Sequence, residues 1–166
     1  MEFKLRPFRE SDQDSLAKYA NNPKIAQNLT NAFPHPYTKE NAHKFIETAI
    51  SHQPIRIKTI EINGEAAGGI GIHPQEDIYC KNAELGYWLA EPYWGQGIIT
   101  EAIKEMIHYG FQTFEITRIY ARPFSSNIAS QKVLEKAGFI KEAVLKNAFY
   151  KNGKYLDELI YSISIV

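Results

Sequence analysis

The chain has 166 residues, of which 44 % are hydrophobic and 23 % charged, and its formal net charge is +0. These values suit a single soluble domain over residues 1–166 and exclude the broad positive field of a non-specific nucleic-acid binder. No apolar run approaches the ~18 residues of a membrane span, so we expect no membrane partner. The only cysteine, Cys80, has no internal partner, and the N-terminus lacks an apolar signal segment, so we expect a cytoplasmic protein. The five histidines are scattered, and we expect no metal site.

The first third of the chain predicts one strand and two helices. Residues 3–7 alternate apolar and charged side chains, as a strand does. Ser11 is placed to cap the first helix, with Asp14 as its capping-box partner. Thr38 is placed to cap the second helix. The buried face of that second helix is predicted from side chains at helical spacing: Ala42, Phe45, Ile46, Ala49 and Ile50.

The middle of the chain predicts three strands, a helix and a further strand. Residues 55–62 and 66–72 form two strands, because Asn63-Gly64 between them is a typical hairpin turn in which both residues need a positive φ. Residues 82–89 alternate well and predict the next strand. The remaining two elements are a helix over residues 98–112 and a strand over residues 118–122.

The last third predicts a short helix within residues 125–138 and two antiparallel strands, 139–150 and 155–166, around Asn152-Gly153. The chain therefore predicts an α/β (α+β) fold. Its centre is a mixed, mostly antiparallel twisted sheet of about seven strands, with helices on both faces.

A phosphate-binding turn is indicated by Gly95-Gln96-Gly97. Two glycines let successive backbone N–H groups point into one concavity, and a helix beginning near Ile98 adds its unpaired amides and dipole. Thr100 adds a hydroxyl. The alternative is an ordinary strand-to-helix turn, because a short Gly-x-Gly pattern is common.

Three ordered segments carry a family resemblance. They are AELGYWL at 83–89, WGQGIITEA at 94–102 and NIASQKVLEKAGF at 127–139, and HPYT at 35–38 supports them. Together they resemble the GNAT superfamily of N-acetyltransferases, in its RimJ/RimL-like branch, and the likeness covers essentially the whole chain. The resemblance implies a GNAT-like fold and acetyl-CoA as co-substrate. The sequence departs from the broad superfamily pattern at three positions. Trp94 stands where the pattern has Gln or Arg, Ile99 where it has Gly or Ala, and Leu134 where many members have tyrosine.

The resemblance also implies a cofactor site. The coenzyme A pyrophosphate is expected on the backbone of Gly95, Gln96, Gly97, Ile98 and Ile99 and on Thr100. The pantetheine arm is expected to pair with the strand end at Trp88, Leu89 and Ala90, and to form a hydrogen bond with Asn127. Large aromatic residues such as Trp88 more often serve packing, so backbone contact is the main expectation there.

Two residues are candidates for catalysis. Glu84, the acidic side chain on the strand beside the predicted site, is the candidate general base, acting through water. Ser130 is expected near the thioester sulfur and is the candidate general acid, with amides near Leu89 and Ala90 stabilising the oxyanion. The alternatives are that Glu84 lies on a solvated sheet face and that Asn127 and Ser130 only cap and begin a helix.

The Pro-rich loop supplies three candidates for acceptor binding, Phe33, His35 and Tyr37. The alternative is that these side chains only pack the loop. The predicted function is direct transfer of an acetyl group from acetyl-CoA to a primary amine, either a protein N-terminal α-amine or a small-molecule amine. The alternative is a non-catalytic coenzyme A-binding sensor or interaction module. A nicotinamide-dependent oxidoreductase is disfavoured because GxGxxG is absent. By analogy with similar proteins, a homodimer is possible.

Overall fold

The computed structural model describes residues 1–166. Its seven strands are β1 (Lys4–Pro7), β2 (Ile57–Ile62), β3 (Glu65–Pro74), β4 (Asn82–Leu89), β5 (Arg118–Ala121), β6 (Ile140–Lys151) and β7 (Lys154–Ser164). Its five α-helices are α1 (Gln13–Ala20), α2 (Pro23–Ala26), α3 (Lys39–Ser51), α4 (Ile98–Thr113) and α5 (Ile128–Lys136). No helix has both the length and the apolar character needed to cross a membrane.

The strands form one mixed sheet in the order β1-β2-β3-β4-β5-β7-β6. Strands β1, β2 and β3 pair antiparallel, β4 and β5 pair in parallel, and β7 pairs antiparallel with both β5 and β6. The parallel pair is the one joined by a helical crossover, as parallel pairing requires a long connection. The predicted fold class, a seven-stranded mixed sheet with helices, is confirmed.

One compact unit comprises Met1–Gly71 and Gly86–Ala102. Its core gathers side chains from α1, α2, α3, the start of β3 and the end of β4, and from the segments that follow β1 and precede α3: Phe8, Leu16, Ala20, Ile25, Tyr37, Ala42, Ile46, Ala49, Ala66 and Trp88. The Asn63-Gly64 turn between β2 and β3 has the expected positive φ values of 52° and 81°. A Cβ on Gly68 would lie 2.6 Å from the carbonyl oxygen of Trp88, so the backbones of β3 and β4 approach closely at this glycine.

Local capping in this unit partly differs from expectation. Ser11 does not cap α1, because Glu10–Asp12 forms a 3₁₀ turn and the Asp12 carboxylate accepts from the Arg9 N–H at 2.8 Å instead. Thr38 does cap α3, with its hydroxyl accepting from the Asn41 N–H at 3.1 Å. Ile50 is 38 % exposed, so the predicted buried face of α3 was wrong at that position. Helix α2, capped by the Asn22 side chain, was not predicted because it has only four residues.

The other compact unit comprises Ile72–Leu85 and Ile103–Val166. In it Gly110 of α4 lies against Ile72 and Ile119, since a Cβ there would be 3.4–3.6 Å from their side chains. The Asn152-Gly153 turn joins β6 to β7 with φ values of 52° and 76°. Strand β6 contains a register irregularity between Leu145 and Phe149 that the alternation pattern did not predict.

Candidate functional site

The turn before α4 has the backbone that a phosphate cradle needs. Gly95 and Gly97 have φ values of 73° and 79°, which L side chains rarely adopt, and nothing lies within 4 Å of a Cβ built on either. The Glu101 N–H donates to the Gly97 carbonyl at 3.3 Å, so the preceding N–H groups of the helix have no intrahelical acceptor. The turn therefore combines open space with the N–H groups of the first helical turn, which have no intrahelical acceptor, and with the positive end of the helix dipole.

The first residues of α4 differ in burial. Ile98 is buried at 3 % exposure, whereas Ile99 is half-buried. Thr100 is also buried, at 8 % exposure. Ile98 thus anchors the helix in the core, and Ile99 does not crowd the open side of Gly95 and Gly97.

Trp94 ties this turn to the end of β4. Its indole N–H donates to the Leu89 carbonyl at 2.7 Å, although the Trp94 residue is 44 % exposed. The Gln96 side-chain amide adds a contact to the Pro92 carbonyl at 3.3 Å. Sequence reasoning treated Trp94 as a departure from the superfamily pattern and as a packing aromatic residue, and it missed this bond.

The end of β4 is buried. Trp88, Leu89 and Ala90 are 9 %, 5 % and 0 % exposed. The Ala90 N–H already donates to the Ala67 carbonyl at 2.8 Å, so the expectation that it stabilises an oxyanion was wrong. Leu89 is the strand-end residue that stays a candidate for that role.

The Pro-rich loop places two of its three predicted residues in packed positions. Phe33 contacts both Tyr37 and Trp88, with ring centroids 5.0 and 5.7 Å apart. Tyr37 is 5 % exposed, and burial raises the pKa of its phenol to about 12. His35 is exposed. The loop therefore supports the packing interpretation for Phe33 and Tyr37, and acceptor binding by the three residues stays a prediction.

Glu84 lies half-buried on β4 and is paired with an arginine. The Arg122 Nε donates to its Oε1 at 3.0 Å, and the Nη1 of Arg122 also lies 3.4 Å from Glu158 Oε1. Burial alone would lower the pKa of Arg122, but its hydrogen bond to Glu84 raises it above the ordinary value. The guanidinium thus stays charged beside two carboxylates.

Other polar side chains lie in the same part of the sheet. Tyr120 is the register partner of Glu84, and burial followed by the negative charge of Glu84 raises the pKa of its phenol. Arg118 donates to Asn82 at 2.8 Å and to Glu142 at 2.9 Å. Sequence reasoning missed the arginines, although Arg118 in β5 and Arg122 directly after it are four residues apart, an even spacing that places side chains on one face of an extended segment.

Asn127 and Ser130 are joined by a helix cap. The Asn127 side-chain oxygen accepts from the Ser130 N–H at 3.2 Å at the start of α5. This bears out the capping interpretation, and a further contact of either residue with a cofactor stays a prediction. Leu134, at the place where tyrosine is often found, is fully buried in the core.

Comparisons with known proteins agree with this fold. The model of the acetyltransferase (GNAT) domain family matches residues 2–140. An uncharacterized N-acetyltransferase, YoaA of Bacillus subtilis, is 38 % identical over 99 residues, which cover 60 % of this chain and 55 % of that protein. A ribosomal-protein-serine acetyltransferase of Escherichia coli is 40 % identical over 82 residues, which cover 49 % of this chain and 46 % of that protein. The matches thus span about half the length of these curated relatives.

Two further similarities extend over most of the chain. A spermidine N(1)-acetyltransferase of Escherichia coli is 27 % identical over 158 residues, covering 92 % of this chain and 80 % of that protein. The solved structure of RimL, a ribosomal L7/L12 alpha-N-protein acetyltransferase in complex with coenzyme A, matches with a TM-score of 0.86 at 28 % identity. That match covers 98 % of this chain and 94 % of the RimL chain.

Proposed function

Because the chain belongs to the acetyltransferase (GNAT) domain family, we propose that it is an acetyl-CoA-dependent N-acetyltransferase acting on a primary amine. The observation that carries the proposal is the turn at Gly95–Gly97, where two left-handed glycines open onto the amino end of a 16-residue helix. An anion such as pyrophosphate is stabilised at that place by N–H groups and the helix dipole. We further propose that residues 1–166 act as one catalytic domain.

The residues present fit coenzyme A. The backbone from Gly95 to Ile99 offers N–H donors, and the space beside both glycines is open. We propose that this backbone and Thr100 hold the pyrophosphate, that the strand end at Trp88–Ala90 pairs with the pantetheine, and that Asn127 adds a side-chain contact. When bound, the cofactor supplies an acetyl thioester.

Glu84 is proposed to accept the proton of the amine. An amine with a pKa of ~7.7–8.0 at an N-terminus, or ~10.4 in a lysine-like group, is mostly protonated at neutral pH and must lose a proton before it attacks. The carboxylate takes that proton through water, and a new N–C bond forms as the C–S bond breaks. Ser130 or solvent then protonates the leaving thiolate, whose thiol pKa is ~8.5.

We propose a protein N-terminal α-amine as the leading acceptor class. Two of the proteins that this chain resembles are named for ribosomal proteins, and one of these for its action on an alpha-N position. A small polycationic amine is the second candidate, because the similarity to a spermidine acetyltransferase covers 92 % of the chain. The even balance of 19 basic and 19 acidic residues favours neither class.

The test is a thermal-shift scan with acetyl-CoA, coenzyme A and NAD, beside thiol release over a panel of N-terminal peptides and polyamines. A ligand at 100 times its dissociation constant stabilises a protein by about 2.7 kcal/mol, so coenzyme A species are expected to raise Tm and NAD is not. Thiol release with one amine class names the acceptor. Stabilisation without release from any amine supports the non-catalytic module, and no stabilisation rejects the cofactor site.

A further inference from the structure

Glu158 is a buried carboxylate with an incomplete set of hydrogen bonds. It lies on β7 and is 7 % exposed, and its Oε1 accepts no hydrogen bond. The Nη1 of Arg122 is 3.4 Å from that oxygen, which makes an ion pair without hydrogen-bond geometry. A buried charge that is poorly satisfied is destabilising, so its presence calls for an explanation other than stability.

Arg122 connects this carboxylate to Glu84. Its Nε donates to Glu84 at 3.0 Å while its Nη1 faces Glu158, so one guanidinium serves two carboxylates. The arginine side chain is 44 % exposed, but its Glu158 partner is only 9 % exposed. In the series of contacts Glu158–Arg122–Glu84, Glu158 is therefore held in the protein interior. Glu84, with a side chain 30 % exposed, is the carboxylate that solvent and substrate can reach.

We propose that Glu158 is a positioning residue that acts through Arg122 to hold Glu84 in place for the amine. The inference rests on the proposed function. The carboxylate of Glu158 also gives the three side chains, Glu84, Arg122 and Glu158, a net charge of −1 when both carboxylates are ionised. This negative charge favours an acceptor that arrives as an ammonium ion. Without Glu158, the guanidinium loses its buried anchor and neutralises Glu84 alone, so both the geometry and the attraction for a cation are lost.

The test is a double-mutant cycle of Glu158→Gln and Arg122→Gln, measured as kcat/KM for the active amine at saturating acetyl-CoA. Glu158→Gln is expected to lower kcat/KM about tenfold, because a small displacement of the catalytic group slows the reaction, and to leave the KM for acetyl-CoA unchanged. In the Arg122→Gln background, the same change is expected to cost nothing further, because its route to Glu84 is gone. Glu142→Gln, which breaks the neighbouring pair with Arg118, is the matched control and is expected to keep full activity.

The other outcomes overturn the inference. Equal losses from Glu158→Gln in both backgrounds would mean that Glu158 acts without Arg122, and a lowered Tm with unchanged kcat/KM would mean a structural role only. If Glu158→Gln does not fold, Glu158→Asp keeps the charge but withdraws it from Arg122, and it must show the same tenfold loss. A wild-type protein that turns over no amine refutes the proposed function itself, and this inference with it.

Discussion

At the scale of single residues, Glu84 carries the most specific chemical prediction. Glu84→Gln keeps the shape of the side chain and its contact with Arg122 but removes the proton acceptor. We expect kcat to fall by about 10²–10⁴-fold, the range that a positioned general base contributes, with unchanged binding of acetyl-CoA. Steady-state thiol release and a binding titration with acetyl-CoA measure the two effects separately.

The pH dependence of the same variant distinguishes a base from a residue that only holds Arg122. As the pH approaches the pKa of the amine, a growing fraction of the amine is already neutral in solution and needs no base on the enzyme. The Glu84→Gln deficit is therefore expected to shrink with rising pH. A deficit that is constant from pH 6 to pH 10, or turnover equal to the wild type, rejects Glu84 as the base.

At the scale of elements, the turn into α4 can be tested at Gly97, whose backbone is left-handed. Gly97→Ala places a Cβ at a φ of 79°, which costs about 1–2 kcal/mol for an L-residue and is relieved by moving the turn. Because 1.4 kcal/mol is a factor of ten in binding, we expect the dissociation constant of coenzyme A to rise about tenfold. Isothermal titration with coenzyme A measures this change.

Gly64→Ala is the control for backbone strain. Gly64 has a φ of 81°, and a Cβ there also meets nothing within 4 Å, but it lies in the β2–β3 turn. We expect the two variants to lose similar unfolding free energy while only Gly97→Ala weakens the binding of coenzyme A. Equal affinities for coenzyme A in both variants would remove the turn at residues 95–97 from the cofactor site.

The elements show why sequence patterns predicted the fold better than the site. Strand β4 was predicted with its observed bounds because the side chains of its two faces alternate regularly along the sequence, and this pattern is local. The 3₁₀ turn that displaced Ser11 as a cap depends on the Asp12 carboxylate, which Arg6 of β1 also holds. The pairing of Glu84 with Arg122 joins residues 38 positions apart, and no local pattern reports such a contact.

At the scale of the whole molecule, acid stability depends on a buried ion network. Arg6 makes two hydrogen bonds of 2.8 Å to Asp12 and a further one to Glu61. Burial alone would raise the pKa of Asp12, but the bonds from Arg6 lower it, and the bond from Arg6 also lowers the pKa of Glu61. The network joins β1, β2 and the 3₁₀ turn, so its protonation affects the folding of all three.

The sign of the pH effect follows from these lowered pKa values. Carboxylates with depressed pKa values stabilise the fold fully above their unfolded values of ~3.9 and ~4.3, and that stability is lost as the pH falls through the folded values. The wild type is therefore expected to lose stability steeply below about pH 4. Asp12→Asn breaks the buried pair, so we expect about 3 kcal/mol less unfolding free energy at pH 7 and a shallower acid decline.

Asp14→Asn supplies the comparison, because Asp14 pairs with Lys39 at 2.9 Å with both side chains at least 70 % exposed. An exposed pair contributes about 0–1 kcal/mol, so this variant should follow the wild type at every pH. Urea unfolding between pH 3 and pH 7 measures all three proteins. If Asp12→Asn and Asp14→Asn gave the same unfolding free energy at every pH, the buried network would contribute no more to stability than an exposed ion pair. The acid sensitivity would then have to arise from carboxylates elsewhere in the chain.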